Sequence, residues 1–224
     1  MLEPRWGISD DIDTRKEYFV NEVGVVRHNG RCTGTLIGTR LVRTAAHCMG
    51  GDFSFFPTFQ LRYHGGPTTW TFDGGQTYVT FAEKTAYTYY YGGNWISLDC
   101  DNTFFSQGYA HFKSCLAEDW MIIVLPTNVW SDVNVVPKYM GYATGAVRSV
   151  KNTGYPGCTD VNSIYVQNCV AGRMYGQTDC AVDVSLASGS QLWHSCDSTP
   201  GHSGGPLFYT SGSANYNTGN DSSP

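Results

Sequence analysis

Residues 23 to 48, VGVVRHNGRCTGTLIGTRLVRTAAHC, constrain the fold more than any other stretch. Three runs rich in Val, Leu, Ile and Thr are interrupted at His28-Asn29-Gly30-Arg31 and at Gly38-Thr39-Arg40, where turn formers cluster. Runs this short and this β-branched suit strands rather than helices. The pattern returns along the chain. WMIIVLP (120–126) is a continuous apolar run, read as a buried strand stopped by Pro126. SVKNTGYPG, SIYVQNCVAGRMYG, AVDVSL and PLFYT add further strands and turns, while VNVVPKYMGY reads as a bridge between two halves. YTYYYGGNW, in a variable stretch from 50 to 117, is a hairpin edge or an exposed loop. No helix-period segment and no internal repeat stands out. Many short strands with glycine-rich turns imply an all-β barrel or sandwich.

Composition narrows the function classes. Hydrophobic residues make up 41%, enough for a sizeable core. Charged residues are 15%, against about a quarter in ordinary domains. The net charge of -5 and the lack of a basic run argue against nucleic acid as a partner. No apolar stretch of about 18 residues offers a membrane span. Eight cysteines with no C-x-x-C pair read as disulfides and an oxidising compartment rather than a zinc site. Asn220-Asp221-Ser222 is a sequon compatible with secretion. The first residues lack the apolar core of a signal peptide, so the expectation is that a signal has been removed or that the chain begins inside a precursor. Residues 1–16 are polar and read as an arm, with Arg15-Lys16 a dibasic pair open to processing.

Gly201-His202-Ser203-Gly204-Gly205 fits G-x-S-x-G and makes Ser203 a candidate nucleophile. A serine hydroxyl needs a base for its proton and a carboxylate to hold that base. The α/β-hydrolase order, serine then acid then histidine, cannot be built: no histidine follows Ser203. It would also need helices between parallel strands. The order histidine, aspartate, serine can be built. TAAHC places His47 at the end of an apolar strand, and Asp119 directly precedes WMIIVL. Glu118, Asp99 and Asp101 are rival acids, but the two aspartates flank a cysteine with no apolar run after them.

These motifs resemble those of the chymotrypsin-like serine proteases: TAAHC their histidine motif, CTGTLIG the strand before it, and GHSGGP their Gly-x-Ser-Gly-Gly-Pro. The resemblance implies two six-stranded antiparallel β-barrels and a catalytic triad of His47, Asp119 and Ser203. It implies an oxyanion hole from the Gly201 and Ser203 amides and a disulfide between Cys32 and Cys48. It calls for no cofactor; His28, His64, His111 and His194 show no metal-ligand spacing. The remaining cysteines pair with near neighbours, Cys100–Cys115, Cys158–Cys169 and Cys180–Cys196, on proximity alone. TGYPG (153–157), and His202 in place of an aspartate before the serine, lean toward the V8-like glutamyl endopeptidase branch. That missing aspartate, with no Ile-Val-Gly-Gly start, speaks against activation by N-terminal insertion. Asp197 and Ser198 are candidate substrate-pocket residues, compatible with cleavage after basic or after acidic side chains.

The domain expectation is an arm (1–16), an N-terminal barrel (17–128) carrying His47 and Asp119, an incomplete C-terminal barrel (129–210) carrying Ser203, and a polar tail or cut loop (211–224). The family continues further past its nucleophile, so a complementary C-terminal segment, as a separate chain or missing residues, is expected. The functional expectation is a secreted serine endopeptidase acting on peptide or protein substrates. The alternatives are a protease-fold binding or structural module, and an esterase using the same triad.

Overall fold

The computed structural model describes residues 15–28, 30–66, 69–72, 75–103, 106–129, 139–140, 149–157, 170–188, 191–211 and 214–220. Valine-rich and threonine-rich runs in the first half form β2 (Val23–Arg27), β3 (Arg31–Leu36) and β4 (Leu41–Thr44), preceded by the two-residue β1 (Lys16–Glu17). The breaks fall where the turn residues sit. β5 (Thr58–Leu61), a hairpin of β6 (Thr69–Phe72) and β7 (Gln76–Val79), β8 (Lys84–Thr85) and β9 (Thr88–Tyr91) follow. Two helices come next, α1 (Cys100–Thr103) and α2 (Tyr109–Glu118), and then β10 (Met121–Val124). The second half contributes β11 (Tyr139–Met140), β12 (Val150–Gly154), β13 (Tyr175–Cys180), β14 (Val182–Ser188), β15 (Gln191–His194), β16 (Pro206–Ser211) and β17 (Ala214–Asn220).

Two large sheets dominate. The first has the order β8-β5-β2-β3-β4-β10-β9 and is antiparallel throughout. Alternate residues of its strands point to one core, where Leu36, Val42, Phe59, Leu61, Met121, Ile123 and Leu125 are almost wholly buried. Each such side chain contributes about 1.5–3 kcal/mol through the area it removes from water. The second has the order β1-β13-β12-β16-β17-β11, antiparallel except for β11 beside β17. The architecture is all-β with curled sheets, as the alternation of short runs and turns implies.

Three findings differ from the sequence-based expectation. YAHFKSCLAE forms the ten-residue helix α2. It buries only Phe112 and Cys115, too narrow an apolar face to register as a period. Ala214–Asn220, expected to be loop or frayed tail, forms β17 along β16 from Ser211↔Ala214 to Pro206↔Asn220. Arg15 and Lys16 are held within the fold, Arg15 buried and Lys16 paired with Gly176. The VNVVPKYMGY bridge (133–142), apart from β11, lies outside the described residues. So do Cys158, Cys169 and most of the sequon.

Candidate active site

The two sheets meet at a seam where Thr33 of β3 bonds the turn that carries Ser203. His47 sits in a single 3-10 turn, Ala46–Met49, directly after β4. Gly50 ends the turn in a left-handed conformation, its N–H donating to the His47 carbonyl at 2.9 Å. Beneath the turn, Ala46 packs with Trp95, Cys100, Phe112 and Cys115. Three disulfides join Cys32 to Cys48, Cys100 to Cys115 and Cys180 to Cys196 among the described residues. The first ties β3 to the turn that carries His47.

Asp119 caps the C-terminus of α2 and leads into β10. Its side chain is completely shielded from solvent, while the His47 side chain is about a quarter exposed. The carboxylate grips His47 twice. Oδ1 accepts the His47 backbone N–H at 2.9 Å, and Oδ2 lies 2.8 Å from Nδ1. An ionised carboxylate can only accept, so Nδ1 carries the hydrogen, and in the neutral ring Nε2 has the lone pair. The rival acids are engaged elsewhere. Glu118 accepts from the Asn94 amide groups, and Asp99 from Asn102 Nδ2 at 2.7 Å. Burial raises the Asp101 carboxyl above its ordinary value; the Asp119 charge adds to this, and the Trp95 side chain and Gly51 backbone oppose it.

Ser203 belongs to the turn before β16 and is 2% exposed. The turn closes through His202 N–H donating to the Thr199 carbonyl at 3.0 Å and Gly205 N–H to the His202 carbonyl at 2.7 Å. Two glycines are obligatory here. Gly201 has φ +99°, and a Cβ on it would overlap the Tyr155 carbonyl. Gly204 has φ +80°, and a Cβ on it would overlap Thr44 Oγ1 and the Thr33 carbonyl. Any other residue would carry both backbone strain and a clash. His202 is fully buried, packed against Gly154 of β12.

Sequence reasoning missed Thr33, which stitches the Gly201–Ser203 turn to the first sheet. Its N–H donates to the Ser203 carbonyl at 2.8 Å. Its hydroxyl donates to the Gly201 carbonyl at 2.7 Å and accepts the Tyr155 N–H at 2.9 Å. Its own carbonyl accepts from Thr44 Oγ1 at 2.7 Å. The Cys48 Sγ lies 4.0 Å from the Ser203 carbonyl. Ser203 and His47 therefore flank the same disulfide, one held by backbone bonds and the other by covalent attachment. No spacing rule announces a threonine with this role.

Asp197 and Ser198 are 1% and 4% exposed, between the Cys180–Cys196 bridge and the turn that carries Ser203. The Asp197 N–H donates to Gln177 Oε1 of β13 at 2.8 Å. Among the described residues, two clusters bring histidine near sulfur, Cys32/His47/Cys48 and Cys100/His111/Cys115. Their cysteines are joined in disulfides and offer no thiolate to a metal.

No family model matches the chain, and no curated protein matches it. Solved structures do. The protease Anisep from Arthrobacter nicotinovorans is similar with a TM-score of 0.58 and 19% identity, over 93% of this chain and 90% of that one. A Glu endopeptidase solved in complex with MPD is similar with a TM-score of 0.53 and 16% identity, over 89% of this chain and 81% of that one. The chain has the chymotrypsin-like protease fold.

Proposed function

We propose that this chymotrypsin-like fold serves a secreted serine endopeptidase in which His47, Asp119 and Ser203 act as a triad through an acyl-enzyme. The observation that carries the reading is the two-point grip of a fully shielded Asp119 on His47. This fixes the ring and its tautomer, which is what a general base for a serine requires. In the mechanism, His47 Nε2 takes the Ser203 hydroxyl proton as Oγ attacks a peptide carbonyl. The Gly201 and Ser203 amides receive the developing oxyanion. His47, now imidazolium and stabilised by Asp119, protonates the leaving amine, and water then releases the acyl group. Asp197 and Ser198 line the pocket for the side chain preceding the scissile bond. The three disulfides fit an oxidising compartment, which supports secretion.

A serine-directed phosphonate tests the reading. The wild-type chain is expected to take up one label on Ser203 and Ser203→Ala none. Labelling that persists in Ser203→Ala, or fails in a folded wild type, rejects it. Matched peptides with Glu or Arg before the scissile bond then give the specificity, and matched esters separate a peptidase from an esterase.

A further inference from the structure

Arg15 lies outside the proposed triad, yet it is only 5% exposed. A guanidinium stays charged at any working pH and is costly to bury unless polar groups receive its N–H donors. Arg15 Nη1 donates to Thr199 Oγ1 at 2.9 Å, a contact spanning 184 positions of sequence. Thr199 is itself buried, and its carbonyl closes the nucleophile turn by accepting the His202 N–H at 3.0 Å. Arg15 thus holds the first corner of the turn in which Gly201 adopts φ +99° and Ser203 follows.

Arg15 is placed by contacts that do not involve this turn. Lys16 and Glu17 pair with Gly176 and Tyr175 of β13. Tyr18 N–H donates to the Met174 carbonyl at 3.0 Å, and its carbonyl accepts from Thr153 Oγ1 at 3.1 Å. Arg173 Nη1 donates to Glu17 Oε2 at 3.0 Å. The start of the described chain is therefore a fixed strand edge from which one cationic side chain reaches the turn. An apolar residue at this position would leave the Thr199 hydroxyl without this donor.

We infer that Arg15 is a positioning residue for the proposed hydrolysis, acting through Thr199 to hold residues 199–203 with the Gly201 and Ser203 amides set for an oxyanion. The inference rests on the triad reading above. It assigns Arg15 to the turn and not to the substrate side chain. Its loss then lowers kcat and leaves KM and side-chain preference unchanged.

The test uses the full chain with Arg15→Met, Arg15→Lys, Thr199→Val and the double variant Arg15→Met/Thr199→Val. Phosphonate labelling of Ser203, kcat and KM on a peptide, and hydrogen exchange at the His202 amide are measured in each. Arg15→Met and Thr199→Val are each expected to slow labelling about tenfold with KM unchanged. The double variant is expected to be no slower than Arg15→Met, with Arg15→Lys partly restored. The His202 amide exchanges faster in Arg15→Met, while amides of β2–β4 do not change. Wild-type labelling and wild-type His202 exchange in Arg15→Met would overturn the inference, as would losses that simply add in the double variant. If the wild type takes no label, the hydrolase reading fails, and His202 exchange alone decides whether Arg15 holds the turn. If Arg15→Met does not fold, Thr199→Val decides by the same readouts.

Discussion

The seven-stranded sheet and the six-stranded sheet hold their parts of the site in different ways. The first supplies His47 and Asp119 by direct means: a disulfide at the histidine turn, a shielded carboxylate with two bonds to one residue, and an apolar cluster beneath. The second supplies Ser203 on a turn made of glycines and backbone hydrogen bonds. Its firmest anchor is borrowed from the first sheet, through Thr33. The difference teaches that His47 and Asp119 are positioned within one sheet, whereas Ser203 is positioned by the seam. Damage to the first sheet should change chemistry, and damage to the stitch should change geometry.

The largest expected effect tests the local half. Asp119→Asn keeps the shape but lets Nδ1 lose its hydrogen, so kcat is expected to fall about ten-thousand-fold with the fold intact. Single-turnover hydrolysis measures it, and a loss under tenfold would mean that Asp119 does not orient the base. Next, Cys32→Ala with Cys48→Ala removes the disulfide that cross-links β3 to the histidine turn. For a loop of this size, urea unfolding should report a loss of about 3 kcal/mol. An unchanged midpoint would show that packing alone holds the turn.

Thr33→Val tests the seam at nearly constant volume. It strands the Gly201 carbonyl and the Tyr155 N–H, and the expected cost is about 1–3 kcal/mol. Labelling of Ser203 should slow as well, with the Nδ1 proton of His47 unaltered by NMR. A stability loss without slower labelling would detach the stitch from the chemistry.

The smallest effect concerns a side chain shared by both regions. His64 stacks on Trp70 at 4.0 Å between ring centroids. Burial lowers its pKa below the ordinary histidine value of 6.5, the Arg173 charge lowers it further, and Glu17 opposes them. The unfolded chain therefore binds more protons between the lowered value and 6.5. The small stability His64 contributes is complete above 6.5 and is lost as pH falls through that window. NMR titration should place the His64 midpoint below 6.5, and Arg173→Ala should move it upward. No movement would mean that the second sheet does not reach His64 electrostatically.

The sequence was most informative where local chemistry decides structure. Asn29-Gly30 and Gly38-Thr39 punctuate strands wherever they occur, so β2, β3 and β4 could be drawn before the fold was known. The run before Pro126 reads as a strand from its short length and its stop at proline. TAAHC and GHSGGP carry their meaning in a few adjacent residues. α2 escaped because its two inward residues owe their burial to Trp95 and a disulfide, not to a long apolar stripe. β17 escaped because backbone pairing with β16 makes it a strand, and NYNTGN has no alternation to betray that. Thr33 and Arg15 escaped for a common reason: their partners lie 168 and 184 residues away.

The helical excursion between β9 and β10 leaves and returns at one rung of the ladder. Tyr91 faces Met121, and Gly92 N–H donates to the Trp120 carbonyl at 3.1 Å. Everything from Asn94 to Glu118 is therefore a side loop with a closed neck, cross-tied once more by Cys100–Cys115. A single nick between Ser106 and Gly108 would leave both cut ends leashed, and the carboxylate at the far end of α2 would feel no change in its own tether. The Asp119 carboxylate is anchored at the neck of the appendage that delivers it, away from its tip.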